Sequence, residues 1–532
     1  MKTSVVASMN CARRAALLLV GWMLAGGLAP AAMSWNQPAT GSADDFFGTT
    51  NLYTIHLTIA PDQWAIMEEL DQFKANAIRP GANQGPGGFP FAPPPGGVGN
   101  GPGPGPGRNE PRMGLEFKKG TAALEFQGQS FGAIRVRFKG NSSFNYARNS
   151  LKRSLKLDFN DLEKGRTFFG LTKLNLNNNA MDPSQLREAL AYYIFRTGGV
   201  PAGRTAFVRV FITVPGKFGK AYAGLYTAVE QVDGRFLKAR FGTKEGLLLK
   251  PERLPGLPYL GNDWAAYTNQ VQAKTLVTTN DAARFIEFVK CLNLADEARF
   301  QAAVGDYVEV DEFLRFLALQ GLLANLDSPL MTGHNYYLYL HPKTRKFVWL
   351  PWDLNEAFGG FGRAGSASEQ MDLSLDHPFT RVNRLAERLL QMPGVKDRYH
   401  QIVRGLLATN FTAARLFPVM DKMAAVIRPS LAGDRMVSLP QFETALSQVS
   451  QPAALAGDHG GPPDFRRGGP GGPGGAGRPR PALKAFINQR TASARLQLEG
   501  KSSGYVPQEM MPGRGAGGGG RPDRPNPPDR IR

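Results

Sequence analysis

A stretch in the second half of the chain places acidic and amide side chains at the ends of apolar elements. Asp327 follows an apolar run, Asn335 opens the Tyr-rich run NYYLYL, and Asp353 follows FVWLPW. One explanation is turn formation, since Asp and Asn favour turns. The other is metal and phosphate chemistry, because hard cations such as Mg²⁺ take carboxylate and amide oxygens while phosphate supplies the remaining ligands.

The elements around these residues should bring them to one place. The run VDEFLRFLALQGLLANL is apolar on nearly every face, which predicts a buried helix that carries Asp327 into a loop. NYYLYL, the turn HPKTRK and FVWLPW together predict a β-hairpin, and a hairpin brings its two ends together. We therefore expect Asn335 and Asp353 to lie on the same rim as Asp327.

The order of these residues is also the order in a known phosphotransfer site. Protein kinases place the catalytic base, a second metal ligand and the metal-binding residue in the order Asp, Asn, Asp. The spacing differs, because the Asn follows the first Asp by eight residues here and by about five in the kinase loop. His334 is interpreted as a hydrogen-bonding support, since a single His among oxygen ligands is more often that than a metal ligand.

A basic stretch in the first half of the chain predicts contacts to phosphate. RFKGNSSFN places Lys139, Asn141 and small residues between two strands, where backbone N–H groups and Lys139 could approach a phosphate. An ordinary hairpin turn explains the same residues. Lys156 projects from the next strand on the face opposite its apolar residues, either toward a phosphate or into solvent. Glu188 could pair with Lys156, but it lies opposite the apolar face of its predicted helix, which favours a solvated position.

The amino terminus predicts export. Arg13 and Arg14 precede an apolar run from Ala15 to Leu28 and then small residues, a pattern typical of a cleaved signal peptide, here residues 1–32. The run is short for a membrane span, and an uncleaved anchor is the alternative. We expect the mature protein in a periplasm, on a cell envelope or outside the cell, without stable membrane insertion.

The chain of 532 residues is basic, with a formal net charge of +19. A basic exported protein suggests anionic partners such as phosphates, acidic proteins or envelope polymers. No nucleic-acid partner is predicted, because export separates the chain from most nucleic acid. No zinc-finger, homeodomain or RNA-recognition signature is present either.

The pattern of apolar residues changes midway along the chain. Six runs between residues 113 and 260 alternate at period two and predict strands, and an earlier run from Leu52 to Ile59 predicts another strand, followed by a helix from Pro61. One helix, PSQLREALAYYIFRTGG, interrupts them, with an apolar face of Leu186, Leu190, Tyr193, Ile194 and Thr197. Residues 281 to 455 are mostly helical. The sequence therefore predicts an α+β fold of two lobes, with a strand-rich N-terminal half, a helical C-terminal half and a cleft between them.

Three segments rich in Gly and Pro cannot pack a core and are predicted to be disordered: 79–112, 457–481 and the basic tail 504–532. Between the last two, ALKAFINQRTASARLQLEG predicts an amphipathic helix that ends at Gly500. We expect this helix to dock back onto the folded body, so the first two segments would be insertions within one domain.

Seven segments together resemble the CotH-type kinases, the family of atypical secreted kinases similar to spore coat protein H. They run in family order across roughly residues 50 to 500, as VRFKGNSSFN, KRSLKLDFN, GLTKLNLNNNAMDPSQLREALAYYIFRTGGVPA, AGLYTAVEQVDGRFLKARFG, LANLDS, HNYYLY and WLPWDLNEAFGG. The resemblance implies a protein-kinase-like fold over residues 44–500. It also implies ATP with Mg²⁺ or Mn²⁺ as cofactors and the transfer of phosphate to proteins.

The resemblance implies roles for individual residues. Asp327 matches the catalytic-loop Asp of the family, and Asp353 matches its metal-binding Asp. Asn335 is predicted as a second metal ligand from its place between them in the chain. The predicted contacts to ATP are those of Lys139, Asn141, Lys156 and Glu230. Where the family often has W-D-x-D, Asn355 replaces the second Asp and lowers the negative charge available to a metal.

These observations predict an exported protein kinase that transfers the γ-phosphate of ATP to hydroxyl side chains of secreted or envelope proteins. ATP would lie between the two halves, and Asp327 would orient and deprotonate the acceptor hydroxyl. The alternative is a non-enzymatic envelope or matrix protein of the same fold that binds anionic polymers through its charge. Asn355 and the Gly/Pro-rich insertions favour this alternative, whereas two Asp residues on one rim favour the enzyme.

Overall fold

The structure is a computed structural model, and the residues it describes are 41–69, 115–252, 254–380, 383–448 and 480–508. The predicted signal peptide and the first predicted insertion lie outside the described residues. So do nearly all of the second insertion and most of the tail.

Seven strands close into a barrel in the first part of the chain. They are β1 (Leu52–Ile59), β2 (Gly120–Phe126), β3 (Gln129–Phe138), β4 (Leu155–Asp158), β5 (Lys173–Asn177), β6 (Thr205–Val214) and β7 (Phe218–Glu230). They pair in the order β1-β2-β3-β4-β5-β7-β6, and a parallel pairing of β1 with β6 closes the ring. Successive side chains of a strand point to opposite faces, so alternate residues such as Ile55 and Leu57 are buried in the barrel core.

The strand predictions are confirmed for all seven runs, and β1 has the predicted ends. The sequence does not predict closure into a barrel, because period-two alternation identifies the buried face of each strand in an open sheet and in a barrel alike. The closing contact, in which Leu52 pairs with Phe207, joins strands far apart in the chain. Such a contact leaves no local signature.

A second sheet of four antiparallel strands carries the residues around Asn335 and Asp353. Its order is β11-β10-β8-β9, with β8 (Leu247–Pro251), β9 (Val271–Ala273), β10 (Tyr336–Leu340) and β11 (Phe347–Pro351). The predicted hairpin is confirmed as β10 and β11, in which Tyr336 pairs with Pro351. This register places the residue before β10 beside the residues after β11.

Helices form most of the chain that follows β9. The helices are α1 (Ala43–Phe46), α2 (Pro61–Glu68), α3 (Ser142–Tyr146), α4 (Arg187–Thr197), α5 (Gly234–Phe241), α6 (Thr279–Leu294), α7 (Glu297–Tyr307), α8 (Val310–Leu322), α9 (Ala367–Met371), α10 (Arg384–Gln391), α11 (Val395–Thr409), α12 (Ala413–Ile427), α13 (Leu439–Leu446) and α14 (Leu483–Leu498). Short 3₁₀ helices lie at Trp264–Ala266 and Arg428–Gly433. The α+β class is therefore confirmed.

Helix α8 is buried, as its composition predicts. Most of its residues are buried, and the ring of Phe313 packs against Trp349 of β11 with ring centroids 4.9 Å apart. The helix ends at Leu322, and the irregular segment after it carries Asp327 toward the ends of the hairpin.

Helix α4 is buried on more sides than the sequence predicts. Tyr193 on its predicted apolar face is only half-buried, whereas Glu188 and Tyr192 are buried. The helix contacts both β6 and α8, and a Cβ added at Gly198 would meet Leu319 of α8 at 2.9 Å. The prediction that Glu188 is solvated is wrong, because α4 is enclosed on more than one face.

The C-terminal helix docks onto the helical region, as the sequence predicts. α14 buries Phe486, and the fully buried Arg490 donates from Nη2 to the carbonyl of Gly321 at 3.1 Å. The folded part reaches slightly further than predicted on both sides of this helix. Arg480 already contacts folded residues, and Tyr505 forms a β-bridge with Leu373.

All described residues belong to one compact unit. Two separate lobes are not distinguished within it, so the two-lobed kinase-like arrangement remains a prediction. Among the described residues, no helix is both long and apolar enough to cross a membrane.

Candidate active site

The two ends of the hairpin meet where the sequence predicts a metal site. Asn335 immediately precedes β10, and its carbonyl accepts a hydrogen bond from the backbone N–H of Trp352 at 3.1 Å. Asn335 and Asp353 both have left-handed backbone conformations, with φ of 62° and 55°. Asp and Asn adopt this region more readily than other non-Gly residues, so their side chains emerge from tight turns at the same end of the sheet.

The carboxylate of Asp327 is held from two sides. His334 Nε2 lies 2.9 Å from Asp327 Oδ1, and Asn335 Nδ2 donates to Asp327 Oδ2 at 3.2 Å and to the Asp327 carbonyl at 2.8 Å. With Nδ2 turned to Asp327, Asn335 Oδ1 accepts no hydrogen bond within the described part of the chain. The amide can therefore offer that oxygen to a ligand. The predicted convergence of Asp327 and Asn335 is confirmed, and His334 has the supporting position expected of it.

Asp353 is half-buried beside these groups. Burial raises the pKa of its carboxyl, the Lys139 ammonium opposes that shift, and the Asp327 carboxylate reinforces it. Lys139 and Asp327 are therefore both close enough to Asp353 to influence its charge. Taking two carboxylates out of water side by side is unfavourable unless a cation joins them.

Lys139 is connected to a buried acid through an amide. Lys139 Nζ donates to Asn177 Oδ1 at 2.6 Å, and Asn177 Nδ2 lies 2.8 Å from each carboxylate oxygen of Glu188. Lys139 also lies over the ring of Trp352, with Nζ 5.7 Å from its centroid. Burial lowers the pKa of Lys139, while the carboxylates of Asp353 and Glu188 oppose the shift.

Glu188 belongs to the same electrostatic group, although the sequence pattern predicts a solvated position for it. It is 2% exposed, and burial together with the Asp353 carboxylate raises its pKa to about 8. Tyr192 follows one turn later on α4, and its hydroxyl accepts the backbone N–H of Asp353 at 3.2 Å. In the sequence, the spacing of four residues indicates that Glu188 and Tyr192 share one helix face, and this is the pattern from which their common position could have been predicted.

Lys156 is a half-buried cation without a carboxylate partner. Its Nζ donates to Gln231 Oε1 at 2.8 Å, and among the described residues no carboxylate oxygen lies within 4 Å of it. Burial lowers its pKa well below the ordinary value. The other leading contributors are four further cations: Arg137, Lys139, Lys173 and Lys274. A concentration of positive charge of this kind is suited to an anionic ligand.

The other two predicted ATP contacts do not join this cluster. Asn141 is exposed just before α3, and its Oδ1 accepts the backbone N–H of Leu115 at 2.9 Å. Glu230 is 2% exposed and is held by Arg204, whose Nε donates to Oε2 at 2.9 Å, and by Arg240 at 3.4 Å. A contact between Glu230 and ATP would require these arginines to release it.

Asn355 turns its side chain toward a neighbouring acid. Its Nδ2 donates to Glu356 Oε1 at 3.3 Å, and Glu356 is paired through both oxygens with Arg480 Nη2 at 2.8 and 2.9 Å. Arg480 Nη1 also donates to the Asn355 carbonyl at 3.2 Å. The residue that replaces the second Asp of W-D-x-D therefore lies in a hydrogen-bond network that fixes the backbone after Asp353.

The residues fit a divalent cation whose coordination is completed by phosphate. Within the described ranges, no three His, Cys, Asp or Glu side chains come close enough to hold an ion by themselves. Asp353 offers a carboxylate in a site where burial disfavours its charge, and Asn335 offers an oriented amide oxygen. Mg²⁺ is commonly bound by one or two protein oxygens together with substrate phosphates and water.

Comparison with known proteins places the chain in a family. The profile of the family described as CotH kinase protein matches residues 136–449, more than half of the chain. Inner spore coat protein H of Bacillus subtilis (strain 168) is 24% identical over 307 residues, which cover 57% of this chain and 78% of that protein. An inner spore coat protein H-like protein of the same organism is 25% identical over 287 residues, or 54% and 78% of the two chains.

A fungal protein is also similar. Spore coat protein homolog 1 of Rhizopus delemar is 26% identical over 270 residues, which cover 48% of this chain and 42% of that protein. The matched region of the family profile contains all seven residues predicted to bind ATP or metal or to act in catalysis. The chain belongs to the CotH kinase protein family.

Proposed function

We propose that the protein is an exported kinase that transfers the γ-phosphate of ATP to hydroxyl side chains of secreted or envelope proteins. The observation that carries the proposal is the grouping of Lys139, Glu188 and Asp353 beside the Asp327–Asn335 pair. Protein kinases use a Lys–Glu pair, a metal-binding Asp, a catalytic Asp and an Asn ligand. The same residue types meet here from the barrel, α4 and the hairpin.

The cations supply the contacts expected for the ATP phosphates. Lys139 has hydrogen-bonding capacity beyond its bond to Asn177, and it is close enough to Asp353 to interact with the charge of that proposed metal ligand. Lys156 has no carboxylate within 4 Å among the described residues, so an anion would compensate its charge. Lys156 lies on the outer face of β4, because its neighbours Leu155 and Leu157 fill the barrel interior, and Lys139 directly follows β3.

Separate residues of the chain would bind the metal and activate the acceptor hydroxyl. Asp353 and Asn335 would hold the divalent ion, which when bound neutralises charge on the phosphates of ATP. Asp327 would accept a hydrogen bond from the acceptor hydroxyl, orient it and take up its proton. His334 and Asn335 would keep the Asp327 carboxylate in one orientation, since each already holds one of its oxygens.

The names of the relatives support the proposed setting. The matched proteins of Bacillus subtilis and Rhizopus delemar are named as spore coat proteins. Together with the signal-peptide pattern of residues 1–32, these names support an exported protein that acts at a coat or envelope. The two-lobed kinase-like arrangement, with ATP between the barrel and the helical region, is part of the same proposal.

Incubating the protein with γ-labelled ATP and Mn²⁺ tests the proposal. We expect label on the protein itself and on an added mixture of secreted or envelope proteins, in Ser, Thr or Tyr after acid hydrolysis. The matched control is Asp327→Asn, which keeps the shape of the side chain. Absence of transfer by the wild-type protein, combined with tight binding of a polyanion, would instead favour a non-enzymatic envelope protein.

A further inference from the structure

The backbone at Asp353 adopts a conformation that its surroundings must maintain. Its φ of 55° lies in the left-handed region, which is unfavourable for a residue that carries a Cβ. The residue follows β11, so its N–H is not part of the sheet ladder. A half-buried N–H without a partner would make this conformation still less favourable.

Tyr192 supplies that partner from a distant part of the chain. Its side chain is fully buried, and its hydroxyl oxygen accepts the Asp353 N–H at 3.2 Å. The two residues are 161 positions apart.

The same helix also holds the segment that follows Asp353. Arg187, the first residue of α4, is buried and donates from Nη1 to the carbonyls of Ala357 and Phe358 at 3.0 Å each. Helix α4 therefore contacts residues 353–358 at both ends. Tyr192 binds the N–H of Asp353, and Arg187 binds the carbonyls of Ala357 and Phe358. The direction in which the Asp353 carboxylate emerges depends on the first of these contacts.

We propose that Tyr192 is a positioning residue for the metal site, which fixes the backbone of Asp353 so that its carboxylate faces the divalent ion. The inference rests on the proposed function only in taking Asp353 as a metal ligand. Residues that orient a ligand in this way typically contribute about 10–100-fold to metal affinity. A purely space-filling role for Tyr192 predicts something different, because Phe would fill the same volume.

Tyr192→Phe separates the two roles, and Tyr226→Phe is its matched control. The Tyr226 hydroxyl is also buried but has no hydrogen-bond partner among the described residues. Mn²⁺ binding is measured by electron paramagnetic resonance on the full mature protein, with and without ADP. We expect Tyr192→Phe to weaken Mn²⁺ binding by about 10-fold or more, and Tyr226→Phe to leave it unchanged.

The outcomes distinguish this inference from the proposed function. Equal Mn²⁺ affinity in wild type and Tyr192→Phe overturns the positioning role while leaving the kinase proposal intact. If the wild-type protein binds no Mn²⁺ with or without ADP, the metal site does not exist, and both the positioning role of Tyr192 and the kinase proposal are wrong. Amide hydrogen exchange at Asp353 in the wild-type protein gives a check that needs no variant: slow exchange is expected, and exchange as fast as in a free peptide contradicts the contact with Tyr192.

Discussion

His334 Nε2 lies 2.9 Å from Asp327 Oδ1, while the adjacent Asn335 holds the other carboxylate oxygen at 3.2 Å. The carboxylate that we propose as the catalytic base is thus fixed by two consecutive residues before β10. Protein kinases fix their metal with the Asn that follows the catalytic Asp. In this chain the Asn holds the Asp itself and keeps its oxygen for a ligand.

His334→Asn should reduce turnover while leaving ATP binding nearly intact. The imidazole orients Asp327 and contacts no group assigned to ATP, so we expect kcat to fall about 10–100-fold with the KM for ATP almost unchanged. Steady-state phosphoryl transfer measures both constants. The matched control is His377→Asn, since His377 is exposed and its ring packs against Phe379. A large rise in the KM for ATP with unchanged kcat would contradict the orienting role.

Lys156→Met should weaken ATP binding without destabilising the protein. The substitution removes a half-buried charge that has no carboxylate within 4 Å among the described residues, so the melting temperature should stay the same or rise. Calorimetric titration with ATP and Mn²⁺ should show about 10-fold weaker binding, in line with one lost charge-assisted contact. Lys119→Met is the control, because Lys119 forms a surface ion pair with Asp161 at 2.9 Å. A strongly destabilised variant with unaltered ATP affinity would make Lys156 structural.

Glu188→Gln should change how stability depends on pH. The folded-state pKa of Glu188 is raised to about 8 by burial, so the folded protein keeps a proton that the unfolded chain releases near pH 4.5. This contribution to stability is full below the unfolded pKa and is lost as pH rises through about 8. Gln keeps the hydrogen bond to Asn177 and carries no charge at any pH, so the variant should lose less stability than wild type over this range.

Denaturant unfolding at several pH values between about 5 and 8 provides the comparison for Glu188. As pH rises over this range, the unfolding free energy of Glu188→Gln should increase relative to that of wild type by on the order of a few kcal/mol. Glu163→Gln is the control, since Glu163 is exposed. Parallel pH profiles for wild type and Glu188→Gln would mean that Glu188 is ionised in the folded protein.

Replacing residues 79–112 with a short Gly/Ser linker should leave folding largely intact. The described residues on either side approach each other, because Lys118 forms an ion pair with Glu69. Closing a shorter loop costs little entropy when its ends already meet. Thermal unfolding of the purified variant should show a cooperative transition near that of wild type, and loss of cooperativity would show that the segment packs.

Local patterns in the sequence predict much of the fold. The alternation in LYTIHLTI predicts β1, and the apolar composition of VDEFLRFLALQGLLANL predicts the buried helix α8. The turn between NYYLYL and FVWLPW predicts the hairpin, in which the N–H of Trp352 binds the carbonyl of Asn335. Each of these features depends on residues close together in the chain.

The parts that could not be predicted depend on contacts between distant residues. Closure of the barrel rests on β1 pairing with β6, and the burial of Glu188 rests on the packing of α4 beside Asn177 of β5. Helical periodicity placed Glu188 on the polar side, but this side faces Lys139 and Asp353 rather than water. The arginines that hold Glu230 also come from other parts of the chain, Arg204 from the loop before β6 and Arg240 from α5, so the sequence does not predict these ion pairs.

The most direct test compares Asp353→Asn with Asp327→Asn in Mn²⁺-dependent ATP binding and in phosphoryl transfer. Asn tolerates the left-handed backbone at position 353, so the first variant removes charge while keeping the turn. We expect Asp353→Asn to lose metal-dependent ATP binding, measured as the thermal shift that ATP and Mn²⁺ produce. Asp327→Asn should keep that shift but lose about 10²–10⁴-fold in transfer. If both variants match wild type in thermal shift and in autophosphorylation, neither carboxylate performs the chemistry assigned to it.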